Sequence, residues 1–417
     1  MKVGVRFLTL FLLGILLSGC PASGGIDPPH DRFIYPIGAA VINDGKRLMV
    51  VNSNFDLRYN AGTITVVDLD KVAATQGNID DESTVIEKDN VLELGAYASD
   101  LRLTPDGKHA LIPVRGESAV SVIDINDDGR IHCNEGADFK CDDDHRIKSN
   151  DNFDLPIEPY AVTAADYHYV PDDSTRKVTM GFITHLAGGE VSLACLDPRM
   201  PPELVGVIKD LPESASGVAI QPRTGLAFVT NRTEPRLSIL RIMYEDSTYP
   251  CNSPYFYELG SLNLTGLASG IDSRGIAFSP DGNTAFVVNR APDALVLIDT
   301  SIDENGAPRN KVMSVMEMDS EPSLVVPHSE KDATGRDHLF VYVVCFAVNR
   351  IYIIDPEIRE TVAIILTREG PHQLVFDPVR PRAYVIHFVE NTIGVIDTEK
   401  RQIIQLIGAT EMPKSHG

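Results

Sequence analysis

Apolar residues along this chain come in runs of four to six, or alternate with polar residues over the same length, and polar corners part them. Val, Ile, Phe and Tyr fill the runs, which are too short and too β-branched for helices and predict strands. One phrase recurs. Phe286 to Asp299 reads FVVNRAPDALVLID, two strands about a corner closing on Asp, and Tyr342 to Asp355 and Tyr384 to Asp397 repeat it. Weaker copies begin at Met49, Leu111, Phe182 and Phe228, the first stretched by an insertion around Asn54 to Asn60. Upstream stands a turn, Ser279-Pro280-Asp281-Gly282 in one copy, Thr104-Pro105-Asp106-Gly107 in another and Asn43-Asp44-Gly45 in a third. There Pro presets φ and Gly accepts φ > 0. A further strand precedes each turn, as in Arg274 to Phe278, and a fourth follows the Asp, as in Val362 to Leu366.

Each unit is thus a four-stranded antiparallel meander, strands a to d. A meander with two apolar faces cannot bury both alone, so neighbours must stack about an axis until a ring closes. Seven copies spaced about 40–70 residues apart predict an all-β, seven-bladed β-propeller. Small residues on the innermost strand (Gly38, Ala39, Ala40, Ala161, Gly217, Ala219, Gly275, Ala277) suit blades that converge on a narrow channel. The repeat runs through residues 33–408 without a Pro/Ser-rich linker, and so overrides the size prior that would divide 417 residues into several domains. Two closures stay open: residues 31–35 add an outer strand to the last blade, or blade seven is complete by itself.

The phrases AFVTN, AFVVN and YVIH, followed by VSVID, LVLID and IGVID, resemble the YVTN-type β-propeller repeat, a relative of WD-repeat and lactonase-like propellers. The resemblance covers nearly all of the chain after Phe33. It implies the fold and leaves function wide, because such proteins include surface and secreted proteins of unassigned activity as well as enzymes. No copy carries a WD dipeptide, and the chain has no Trp.

Lys2 and Arg6 precede an apolar stretch, Phe7 to Leu17, that ends in Leu17-Ser18-Gly19-Cys20. This reads as a signal peptide over residues 1–19, too short to span a bilayer. It is similar to the lipobox of bacterial lipoproteins, which implies a diacylglycerol on Cys20. Residues 20–32 are expected as a tether and 409–417 as a C-terminal tail. Pro21 follows the lipidated position where an inner-membrane retention signal would have Asp, so the expected location is the outer membrane, facing the periplasm or the surface. A formal net charge of −22 argues against nucleic acid and anionic membrane as partners, leaving the lipid as the membrane contact.

Five cysteines remain after Cys20, and an exported protein can oxidise them. Cys133 and Cys141 bracket one loop. Cys195 ends strand c of blade three and Cys251 lies in the c–d loop of blade four, which opens them onto one face of adjacent blades. Cys345 is the odd thiol, expected buried. Between blade strands, Asp124 to Glu135 reads DINDDGRIHCNE, with oxygen side chains at loop positions suited to calcium and Gly129 for the tight reversal. Asp124, Asn126, Asp128, the Arg130 carbonyl and Glu135 are the expected ligands of a structural Ca2+, with affinity of about 10⁻⁴–10⁻³ M as in extracellular modules. An acidic, solvated loop that needs no metal is the alternative.

In such a meander the b–c and d–a loops share one face, the mouth of the channel. Three repeat-equivalent arginines follow b–c corners there, Arg115, Arg232 and Arg290, joined by His185 and His387 at corners and by Arg274 and His372 at strand a. Polar groups converging on a concave mouth form the expected ligand site, and three cations suit an anion. Nucleophile-elbow, zinc-protease, haem-attachment and phosphate-loop motifs are missing from the sequence. The expectation is a monomeric, lipid-anchored binding or scaffold module for an envelope protein or surface polymer, with a lactonase-like hydrolase as the alternative.

Overall fold

A computed structural model describes residues 25–408 apart from 135, 137, 171–174, 245–248, 250, 253, 265–270 and 332–334. The stretch expected as a signal peptide, Cys20 and the expected C-terminal tail, residues 409–417, therefore lie outside the described residues. Seven antiparallel sheets follow one another along the chain. Blade five is the clearest: strand a is Ile271–Phe278, b Thr284–Ala291, c Asp293–Asp299 and d Lys311–Glu317, paired in sequence order.

The alternation along strand c of blade five explains why the ring must close. Ala294, Val296 and Ile298 pack with blade four, whereas Leu295 and Leu297 pack with blade six. Both faces are buried, so the strand reads as a continuous apolar run. Among the described residues every hydrophobic cluster bridges two neighbouring blades, and together the clusters cover all seven junctions. Each fully buried Val, Leu, Ile or Phe contributes roughly 1.5–3 kcal/mol. Stability thus resides between sheets rather than within them.

The a–b turns form as their residues dictate. Ser279 Oγ donates to Asp281 Oδ1 at 2.6 Å, the Gly282 amide donates to the Ser279 carbonyl at 2.8 Å, and Gly282 sits at φ +69°. Thr104, Asp106 and Gly107 repeat this arrangement. The recurring Asp at the end of strand c caps the turn that follows: Asp299 accepts from the Ser301 amide at 2.9 Å and Asp397 from the Lys400 amide at 2.8 Å.

Blade seven is complete by itself, Pro371–Phe376, Arg382–His387, Thr392–Asp397 and Gln402–Ile407. Closure comes from the c–d insertion of blade one, which carries the short helix Leu69–Ala74. Beyond that helix, Ile79 bridges Ile407, and the Gln405 amide donates to the Gly77 carbonyl at 2.7 Å. Arg380 of blade seven pairs with Asp70 and donates to the Gly45 carbonyl. The described part of the expected tether is not loose: the Asn60 amide donates to the Ile26 carbonyl at 3.0 Å, and His30 Nε2 lies 3.1 Å from Glu93 Oε1.

Two disulfides form, Cys133–Cys141 within blade two and Cys195–Cys251 across blades three and four. Cys345 is buried and unpaired, with its thiol pushed up to about 12 by burial first and by Asp319 second.

Candidate functional site

The mouth is built by a backbone device that recurs once per blade. The residue leading into strand a is left-handed in every blade: Tyr35, Tyr97, Glu158, Ser214, Asp272, Glu321 and Gly370 have φ between +49° and +71°. Non-glycine residues hold that conformation at a cost of about 1–2 kcal/mol, so the surrounding structure must enforce it. In six blades the carbonyl of this residue accepts the amide of the residue after the b–c corner, for example Arg232 to Ser214 at 3.2 Å and Phe388 to Gly370 at 2.8 Å. The post-corner residues thereby become a fixed ring: Ser53, Arg115, Leu186, Arg232, Arg290, Phe346 and Phe388.

Inside this ring a cavity of 320 Å³ takes lining residues from all seven blades, among them Tyr160, Arg274, Arg290, Glu321, Phe346 and His372. Gly217 and Gly275 also line it. A Cβ on Gly217 would clash with the Arg274 carbonyl of the next blade, which is why the innermost strands need small residues.

The structure brings Arg232, Arg274 and Arg290 within electrostatic reach of one another, and Arg115 stands apart with Glu158. Arg115 Nη2 donates to Glu158 Oε1 at 3.1 Å, Arg274 Nη2 to Asp272 Oδ2 at 2.8 Å, and Arg290 Nη1 lies 3.5 Å from Glu321 Oε2. Arg232 differs. Among the described residues it makes no salt bridge, and its guanidinium lies 5.0 Å above the Tyr160 ring; its Nε is buried without a hydrogen-bond partner, as are those of Arg115 and Arg274. Burial lowers its pKa, and Arg274 and Arg290 lower it further against the opposing pull of Tyr160 and Asp272. Burial and then Arg274 lower Arg290 in the same way. Three cations within electrostatic reach of one another, one of them lacking a carboxylate, make a site that an anion would relieve.

The histidines divide. His372 lines the cavity; its Nδ1 donates to the Ile37 carbonyl at 3.0 Å, and burial, helped by Arg290 against the pull of Asp100, lowers its pKa. His185 and His387 are fully buried and outside the cavity. His185 Nε2 is 2.8 Å from Ser192 Oγ and its Nδ1 is 3.2 Å from the Ile157 carbonyl. His387 Nδ1 is 2.9 Å from Thr392 Oγ1, and its Nε2 accepts the Arg368 amide at 3.3 Å. Both tie the b–c corner to strand c, as Asn52 does through Thr63 and Thr65. Sequence reasoning missed Tyr160 and the aromatic members of the ring. The signal was available for Phe346 and Phe388, which occupy the same repeat position as Arg232 and Arg290.

The loop expected to hold calcium is arranged otherwise. Asp124 is turned toward histidines: Oδ1 is 2.7 Å from His109 Nδ1, and Oδ2 lies 3.2 Å from His145 Nε2 and 3.3 Å from His132 Nε2. The Arg130 carbonyl accepts the Asn126 amide at 2.9 Å, and Asp128 Oδ1 accepts the Arg130 amide at 3.0 Å. Glu135 lies outside the described residues. No group of three His, Cys, Asp or Glu side chains among the described residues is arranged to hold a metal ion. Two of the expected ligands thus have other partners here, Asp124 its histidines and the Arg130 carbonyl the Asn126 amide.

No protein-family model and no curated protein sequence matches the chain. Its fold is shared with solved structures at low identity. Hydrazine synthase of Kuenenia stuttgartiensis aligns over 91% of this chain and 99% of its own at 15% identity and a TM-score of 0.56. A putative 6-phosphogluconolactonase of Bacteroides uniformis aligns over 81% and 86% at 14% identity and 0.53. The periplasmic gluconolactonase of Pseudomonas aeruginosa aligns over 80% and 86% at 15% identity and 0.51. At such identities the likeness is one of fold alone.

Proposed function

We propose that this chain is a lipid-anchored envelope propeller that binds a protein or surface-polymer partner by holding an anionic group at the mouth of its channel. The observation that carries this reading is Arg232, a half-buried guanidinium with a buried, unpartnered Nε and no carboxylate of its own. Leaving such a donor unsatisfied costs about 1–3 kcal/mol, and the accessible part of the same guanidinium is what an incoming anion would meet. Nothing in the reading draws on calcium.

Inorganic phosphate and acetate serve as minimal anions for a calorimetric test at low salt. The wild-type chain should bind at least one of them, and Arg232→Gln should weaken that binding at least tenfold. Undetectable binding of both anions to the wild type would refute the reading. A hydrolase is the second reading, favoured by His372, whose Nδ1–H donation to Ile37 leaves Nε2 as the basic nitrogen in the same cavity. It requires that His372→Ala abolish hydrolysis of a lactone such as gluconolactone.

A further inference from the structure

The ring around the mouth is divided by chemistry as well as by blade. On one arc stand Arg115, Arg232 and Arg290, with Glu158, Asp272 and Glu321 between them. The other arc is aromatic. Phe346 and Phe388 occupy the post-corner position of blades six and seven, and Tyr35 and Tyr97 are the left-handed residues that flank blade one. Phe55 comes from the blade-one insertion. These rings touch in sequence: Phe346 to His372 at 6.5 Å, His372 to Phe388 at 6.1 Å, Phe388 to Tyr35 at 5.3 Å and to Phe55 at 5.4 Å, and Phe55 to Tyr97 at 5.7 Å. Phe55 is 50% exposed. Phe346 and His372 line the same cavity as Arg274, Arg290 and Tyr160, and Arg232 over Tyr160 and Phe388 beside His372 adjoin that cavity without lining it.

We infer that the anion held at this mouth is an arylalkyl carboxylate, a ring joined to its acid by a short alkyl arm, with the carboxylate against the arginine arc and the ring against Phe346, Phe388 and Phe55; this rests on the anion-binding reading of the same mouth. Two features select that chemistry. The three phenylalanines of the aromatic wall offer no hydrogen-bonding groups, and its polar atoms are confined to Tyr35, Tyr97 and His372, so the several hydroxyls of a sugar acid would find few partners there. A planar ring instead gains edge and face contacts. The charge balance favours a single negative charge: Arg115, Arg274 and Arg290 each have a carboxylate partner, which leaves Arg232 as the one guanidinium of the four without one. The 320 Å³ cavity is lined by Arg274, Arg290 and Phe346 and not by Arg232, Phe388 or Phe55; at the lower end of ligand sites, it suits one ring with its acid, with those three residues beside it. A free aromatic acid and a partner chain ending in Phe present this same group.

The test is calorimetric titration of the full chain with phenylacetate, acetate and gluconate, and with a peptide ending in Phe either as the free acid or as the amide. Phenylacetate should bind at least tenfold more tightly than acetate or gluconate. Phe55→Ser, at a half-exposed position, and Phe388→Ser should remove that excess and leave acetate affinity unchanged, whereas Arg232→Gln should weaken both acids. Binding of the free-acid peptide but not its amide would place the group on a partner's chain end; binding of phenylacetate alone would make it a free acid. Acetate and phenylacetate binding equally well would overturn the inference and leave the anion site standing. If none of these acids bound while inorganic phosphate did, the inference would also fall, and loss of every anion would remove the site itself.

Discussion

The guanidinium of Arg232 lies 5.0 Å above the ring of Tyr160, with no carboxylate in salt-bridge contact among the described residues. A cation–π contact of this kind contributes about 0.5–2 kcal/mol, against the cost of the buried Nε that has no acceptor. The two nearly cancel. Arg232→Gln should therefore change stability by less than about 1 kcal/mol, whereas Arg274→Gln, which strands Asp272, should cost about 1–3 kcal/mol. Denaturant midpoints of the two variants decide it, and equal losses would show that Arg232 is a structural residue.

Much of this architecture was legible because period-two patterning and turn chemistry are local. Ser279 to Gly282 folds as its residues require, and the topology that followed was enough to set Cys195 beside Cys251. The arginines were legible as repeat equivalents. Side-chain direction at a strand end was not. His185 and His387 occupy the right corner, but they face Ser192 and Thr392 in the core rather than the channel, and position along the strand does not say which way a corner residue turns. The contact of Arg232 with Tyr160, and ring closure by Ile79 on Ile407, join residues distant in sequence and leave no local trace.

Close approach of blades, not turn geometry, explains Gly217. A Cβ there would meet the Arg274 carbonyl and lie 2.8 Å from Thr230 Oγ1, which itself donates to that carbonyl at 2.6 Å. Gly217→Ala should cost about 1–3 kcal/mol through overpacking. Gly260 has open space about its Cβ position, so Gly260→Ala should be neutral or stabilising by up to about 1 kcal/mol. Thermal melts of both variants would show whether the junction of blades four and five is as tight as drawn.

The two disulfides should differ in worth. Cys195–Cys251 closes a separation of 56 residues across two blades and Cys133–Cys141 a separation of 8 within one loop. Chain-entropy reasoning gives about 4 kcal/mol for the first and about 2.5 kcal/mol for the second. Paired Cys→Ala variants compared by urea denaturation should keep that order. A larger loss at Cys133 and Cys141 would mean that the blade-two insertion supports the ring.

Calcium at about 1 mM would stabilise a site of about 10⁻⁴ M affinity by about 1.4 kcal/mol. Because both oxygens of Asp124 already face histidines, the melting temperature at neutral pH should be the same in calcium and in chelator. Clear stabilisation by calcium would require Asp124 to leave His109 and His145 for the loop.

His185 and His387 set the acid limit of the fold. Burial depresses His185 to about 4 and, with Arg368 adding to the effect, His387 to about 3. Unfolded histidine titrates near ~6.5, so between that value and the folded one the unfolded chain binds the proton and the native chain does not. Stability must then fall as pH drops below about 6.5, by up to about 1.4 kcal/mol per pH unit for each histidine. The slope ends only when the native rings themselves protonate, below about 4 and about 3. Asn fills the equivalent corner at Asn52, Asn231 and Asn289, so His185→Asn with His387→Asn should preserve the fold and flatten the profile between pH 6 and 4. Urea midpoints measured across that range would show it. A double variant with the wild-type slope would mean that acid sensitivity comes from the carboxylates instead.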